Sequence, residues 1–278
     1  MPTRLALVLL AAVWISPAPA QDHARSLLRD HLLITWYGNP RSTRMGVLGE
    51  QTGEARAAAL RAQAGAYARH TSKRVLMAYH LVAVVALCEP GADRLWRRRE
   101  TRDVVQTLLD DARAHGFRLV LDIQPGHSTV AAEVDALAPF LSEPDVDLAL
   151  DPEFAVSGCE APGKTIGRLA ADDVNAALDR LEAIITKRRL PPKVLIVHQF
   201  RMDMLPGRAG IRRSSLVDVV LNMDGIGSQT LKLSSYRAVM RQPLPFAGIK
   251  LFYRQDTNLF TPAQVMSLSP TPSLVVYQ

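Results

Sequence analysis

The chain has 278 residues, of which 48% are hydrophobic, 22% charged and 6% aromatic, with 16 glycines, 18 prolines and two cysteines. That is an ordinary globular composition, which excludes a disordered, collagen-like or disulfide-dense protein, and the length fits one large domain or two small ones. Formal net charge is +6, but the cations are scattered and the densest run, Arg97-Arg98-Arg99, is followed at once by Glu100; with no zinc-finger spacing, aromatic-basic motif or recognition-helix signature, nucleic acid is not an expected partner.

The chain opens with an address. One arginine, Arg4, precedes an apolar run from Leu5 to Ile15, and Ala18 and Ala20 match the small-residue cleavage pattern of a secretory signal peptide. The run is shorter than the roughly 20 apolar residues of a membrane span, and no cysteine follows it to carry a lipid. The expectation is a secreted or periplasmic protein cleaved near Ala20, with residues 21–278 as one domain and no stable membrane anchor. An oxidising compartment lets Cys88 and Cys159 form a disulfide; two free thiols are the alternative.

Strands and helices then alternate. A helical stretch, Asp22 to Asp30, leads to a strand over His31 to Tyr37 and a helix over Glu54 to His70. A strand over Arg74 to Val82 and a helix over Thr101 to His115 come next, then a strand over Arg118 to Ile123 and a helix over Thr129 to Leu141. A strand over Val146 to Leu150 precedes a helix over Ala171 to Arg189. Two strands follow with little between them, Lys193 to Phe200 and Val217 to Met223, and then a helix over Gln229 to Arg241. A strand over Ala247 to Tyr253, a helix over Thr261 to Leu268 and a strand over Ser273 to Tyr277 complete the pattern.

The strands are continuously apolar, as in parallel sheets covered on both faces. Eight such units in about 250 residues predict an α/β fold, a single (β/α)8 TIM-type barrel. Its helix after the fifth strand is reduced and none follows the eighth, a gap the stretch Asp22 to Asp30 would cover. The rival is a doubly wound open sheet, but no glycine-rich nucleotide fingerprint follows the first strand.

In a TIM barrel the C-terminal strand ends carry the chemistry, and here those ends are polar. They present Tyr37, Tyr79 and His80, Asp122 and Gln124, Asp151 and Glu153, His198 and Gln199, Asn222 and Asp224, and Lys250 with Tyr253. Asp151 and Glu153 stand two apart, so on a strand they share a face and raise one another's pKa, which suits one of them to general acid catalysis. The alternatives are a loop cap for Asp151 and an arginine partner for Glu153. Asp122 or Asp224 would assist as base or by orienting Glu153, although Asp224-Gly225 also reads as a turn start. Tyr37, Tyr79, His80, Gln124, His198, Gln199, Asn222, Lys250 and Tyr253 are the expected substrate contacts. Trp36 and Trp96 are further aromatics able to stack on a sugar or pack the rim. Lys250 suits a Schiff base or an ion pair with Asp224 or Glu153. A metal site would need His80, His198 and carboxylates to converge; without a His-x-His or His-Glu-x-x-His spacing, neither a metal nor another cofactor is expected.

Several of these segments resemble an uncharacterised family of bacterial secreted proteins and lipoproteins. The similar stretches are Tyr37-Gly38-Asn39-Pro40 with Met45 to Glu50, Leu121 to Gly126, Leu150-Asp151-Pro152-Glu153-Phe154, His198 to Met204, Met223-Asp224-Gly225, and Lys250 to Tyr253 ahead of Asp256-Thr257. A looser resemblance is to chitinase-type glycosidase barrels, which implies Glu153 as acid and Asp151 as the group orienting an N-acetyl substituent; the further Asp of that pattern is Ala149 here. The resulting expectation is an exported, glycosidase-like hydrolase acting on an envelope or environmental glycan. A non-catalytic saccharide- or envelope-binding protein and a metal-dependent, phosphodiesterase-like hydrolase are the alternatives.

Overall fold

Eight parallel strands close on themselves in the computed structural model, which describes residues 26–278. They are β1 (His31–Gly38), β2 (Arg74–Ala86), β4 (Arg118–Ile123), β5 (Val146–Leu150), β6 (Lys193–Gln199), β7 (Val217–Met223), β8 (Phe246–Leu251) and β9 (Leu274–Tyr277), with β1 pairing to both β2 and β9. The predicted leader lies outside the described residues. Among those residues no helix is long and apolar enough to cross a membrane.

Alternation along each strand divides the core in two. Leu33, Ala78, Val120, Ala149, Ile196, Val220 and Val276 form one buried cluster inside the barrel. Leu32, Ile34, Leu81, Leu121, Leu148, Val197 and Leu221 join a larger cluster with the helices. Those helices are α2 (Gly53–Gly65), α3 (Arg102–Ala114), α4 (Val130–Leu141), α5 (Ala171–Arg188), α6 (Gln229–Val239) and α7 (Pro262–Met266). Hydroxyl caps start three of them: Thr129 accepts from Ala132 N at 3.2 Å, Ser228 from Leu231 N at 3.3 Å and Thr261 from Gln264 N at 3.3 Å. Between β6 and β7 there are only single 3-10 turns, Met202–Met204 and Arg208–Gly210. The buried Arg208 fills the space instead, donating to the Gln199 side chain and to the Val239 carbonyl at 3.0 Å.

Two expectations are corrected, the cover by the first helix and the disulfide. The short helix α1 (Leu27–Asp30) does not cover the side left bare after the last strand. Its Leu28 joins the interior cluster with Leu33 and Val194, so it plugs the N-terminal end of the barrel. The arginine run Arg97–Arg99 forms β3, antiparallel to the end of β2. Arg97 and Arg99 there pair with the fully buried Glu133 at 2.8 and 2.7 Å, because a buried carboxylate needs such partners. Cys88 and Cys159 form no bridge; both are exposed and free. Their loops meet through other residues, with Trp96 stacked on His127 (centroids 5.4 Å apart) and His127 Nε2 2.7 Å from the Glu160 carbonyl.

Candidate active site

The largest of the clefts described, about 760 Å³, opens at the C-terminal end of the strands. Tyr37, Gln124, Asp151, Glu153, Asp224 and Lys250 line it, with Phe154, Phe200, Phe252, Met45, Val85 and Leu231 as apolar walls. Gly38 brings one wall in: at φ +145° it lets the loop carrying Met45 fold against the end of β1, where a Cβ would sit 2.7 Å from the Met45 carbonyl oxygen.

Strand β5 ends at Leu150, so Asp151 and Glu153 do not occupy the i, i+2 strand positions expected of them. Asp151 caps the 3-10 turn Pro152–Phe154, accepting from Glu153 N at 3.3 Å, and that turn carries Glu153 out to partial exposure. Asp151 therefore does cap a loop. Glu153 pairs with no arginine; its carboxylate has no hydrogen bond or ion pair with any described residue. Burial first, and then Asp224 rather than Asp151, raises the Glu153 pKa, against the pull of Lys250 and His198. Asp151 is pushed well up by burial and by Asp122 and Asp224, with His198 and Lys250 opposing. Asp122 and Asp224 thus both act on Asp151, while of the aspartates only Asp224 acts on Glu153.

Beneath the cleft His80, Asp122 and His198 meet, all fully buried. Each histidine Nε2 lies 3.7 Å from the same oxygen, Asp122 Oδ2, too far for a hydrogen bond. The other ring nitrogens are engaged: His80 Nδ1 faces Thr35 Oγ1 at 3.4 Å, and His198 Nδ1 lies 3.2 Å from Asp224 Oδ2 and 3.1 Å from the Asn222 amide. Burial pulls the His80 pKa well down, helped by His198 and Lys250. Burial pulls on His198 too, but Asp224 and Asp122 outweigh it and raise its pKa. The Tyr37 ring covers the pair edge-on, 5.0 Å from His80 and 6.1 Å from His198 between centroids. Its hydroxyl accepts from Gln124 at 3.3 Å, and Gln124 is itself held by Ala86 N at 3.1 Å.

Lys250 makes neither expected ion pair. Its Nζ sits 3.4 Å from the Tyr37 ring centroid, a cation–π contact that fixes it at the cleft floor. Of the other predicted contacts, His80, His198 and Asn222 are sealed beneath the cleft rather than lining it, and three lie elsewhere. Tyr79 faces outward against Phe117, with the Arg56 guanidinium 4.8 Å from its ring centroid, because inward parity on β2 belongs to its neighbour His80. Gln199 faces outward for the same reason beside His198, donating to the Arg201 carbonyl at 2.9 Å. Tyr253 stacks on Tyr277 and donates to Gln63 at 2.8 Å; with Trp36 and Glu50 it lines a separate cavity of about 190 Å³.

Sequence reasoning missed Thr35 and the pair Lys232–Asp256. Lys232 Nζ donates to the Gly225 carbonyl at 2.6 Å and meets Asp256 at 2.9 Å, while Asp256 accepts from Gly227 and Phe252 amides at 3.0 and 2.9 Å. This bracket fixes the loop that presents Asp224. Only the Asp256 of the Lys250 to Thr257 stretch hinted at it.

No protein-family model matches the chain, and no curated protein matches it by sequence. Among solved structures, the chain is similar to the crystal structure of a GH18 chitinase from Pseudoalteromonas aurantia, with 13% identity, a TM-score of 0.44, and coverage of 88% of this chain and 93% of that one. The reading of the site rests on this chain's own residues.

Proposed function

We propose that this protein is an exported, glycosidase-type hydrolase that takes a glycan of the cell envelope or the surroundings into the C-terminal cleft, with Glu153 as general acid. One observation carries the reading: the Glu153 carboxyl reaches the cleft with no protein partner and with its pKa raised. A carboxylic acid with a raised pKa keeps its proton to higher pH than a free one and gives it to the glycosidic oxygen as the C–O bond breaks. Asp224, whose Oδ1 has no partner among the described residues, lines the cleft with Asp151 and Glu153 and supports the attack of water or the positive charge that develops on the sugar. Lys250, Gln124 and the Tyr37 hydroxyl supply polar contacts for sugar hydroxyls, and Phe154, Phe200 and Phe252 supply apolar faces.

The test is reducing-end release from a panel of bacterial and plant polysaccharides. Glu153→Gln should lower release by about 10²- to 10⁴-fold, the usual weight of general acid catalysis, with the melting temperature nearly unchanged. Full turnover in that variant overturns the assignment. Saturable binding without release by the wild type would make the barrel a saccharide-binding protein.

A further inference from the structure

We propose that His80 Nε2, His198 Nε2 and the Asp122 carboxylate form a binding site for one divalent transition-metal ion, sealed beneath the floor of the cleft. The three residues come from β2, β4 and β6, and no short sequence spacing joins them. Their candidate ligand atoms all lie within 4.8 Å of one another. In a tetrahedral site with metal–ligand bonds near 2.0–2.2 Å, neighbouring donors stand about 3.3–3.5 Å apart. The two Nε2–Oδ2 separations of 3.7 Å need only a few tenths of an ångström of closure.

The unpartnered atoms point the same way. His80 Nε2, His198 Nε2 and both Asp122 oxygens are buried without a hydrogen-bond partner among the described residues. A cluster evolved only to hold the barrel together would close these contacts as hydrogen bonds at about 2.7–3.2 Å. The outer contacts are those a metal-bound histidine uses. Asp224 Oδ2, 3.2 Å from His198 Nδ1, is placed to accept its proton, and Thr35 Oγ1 faces His80 Nδ1 at 3.4 Å. His198 Nδ1 also lies 3.1 Å from the Asn222 amide; the tautomer in which Nδ1 donates to Asp224 is the one that leaves Nε2 free for a metal.

The ligand chemistry fits as well. Two imidazoles and one carboxylate favour an ion of the zinc or iron type over magnesium or calcium, which prefer all-oxygen sites. Because none of the three ligands lines the cleft, the ion lies beneath its floor without touching substrate. The inference does not depend on Glu153 being the acid.

The experiment is calorimetric zinc titration of the chelator-stripped full chain, with the absorption spectrum of the cobalt(II) form as a second readout. The wild type should bind one equivalent and show a low-coordinate cobalt spectrum. Asp122→Asn and His198→Gln should each weaken zinc by at least about 100-fold, and Asp224→Asn by about 10- to 100-fold, as for outer-shell partners generally. His127→Ala, at a histidine outside the cluster, should bind as the wild type does. If Asp122→Asn or His198→Gln fails to fold by circular dichroism, Asp224→Asn decides. No stoichiometric zinc in the wild type overturns the proposal, and so does affinity that Asp122→Asn and Asp224→Asn leave unchanged. Neither readout involves turnover, so loss of the Glu153 reading leaves this result intact.

Discussion

The two ends of this barrel treat buried charge in opposite ways. At the N-terminal end, Arg118 holds Asp147 through two hydrogen bonds of 2.7 and 3.0 Å, and Asp147 also accepts from Val194 N at 2.8 Å. Lys193 donates to the Glu143 and Val146 carbonyls at 2.6 Å each, and Asp218 accepts from Leu28 N at 2.8 Å. At the C-terminal end, Asp122, Asp224, His80 and His198 all keep buried atoms without partners. Leaving a buried polar atom unpaired costs about 1–3 kcal/mol. A protein keeps several together where stability is secondary to chemistry, and closes them where it is not.

That contrast can be broken by matched substitutions. The largest effect on stability is expected at the paired end. Asp147→Ala would strand the largely buried Arg118 and the Val194 amide, and should destabilise by about 3–5 kcal/mol, read as a lower urea midpoint. Asp122→Asn at the other end, in chelator-treated protein, removes a buried carboxylate whose oxygens have no hydrogen-bond partner among the described residues. Its midpoint should change by less than about 1 kcal/mol and in the stabilising direction. Equal losses in the two variants would erase the distinction.

The pH profile sharpens it further. Glu153 must be protonated to act as acid, and its pKa is raised, so turnover should hold on the acid side and fall as pH climbs through that raised value. Asp224, which raises it, and Lys250 and His198, which lower it, are the charged groups acting on Glu153. Asp224→Asn should therefore shift the alkaline limb toward lower pH, and Lys250→Met toward higher pH. Shifts in the same direction would remove Glu153 as the titrating group.

The smallest effect concerns Lys193, whose pKa burial lowers to about 8 against an unfolded value near 10.4. The cost of its buried charge is fully present below about pH 8. As pH rises toward 10.4 the folded state has lost that proton while the unfolded state keeps it, so this group makes stability increase. Urea midpoints taken across that interval should show the rise, and Lys193→Met should flatten it.

Much of the fold was legible because it is local. Val146–Leu150, Arg118–Ile123 and Val217–Met223 stand where their apolar runs put them. Thr261-Pro262 starts α7 as a capping residue followed by proline should. The site was legible only as a zone. Polar strand ends marked the correct end of the barrel, yet Tyr79 and His80, or His198 and Gln199, looked equally fit to line it. A strand buried on both faces carries no alternation to show which neighbour turns inward. The disulfide failed for a related reason, since membership of the same rim does not bring two loop tips together.

The sequence by itself determined the order of strands and helices, the closed parallel barrel and the end at which polar groups gather, because periodicity, caps and strand-end composition are properties of neighbours along the chain. Only the tertiary structure decided that His80, Asp122 and His198 converge, that burial and Asp224 rather than Asp151 raise the Glu153 pKa, and that Lys250 rests on Tyr37 instead of pairing with a carboxylate. Those facts depend on strand parity and on the register of strands far apart in sequence, and closure of the barrel fixes both.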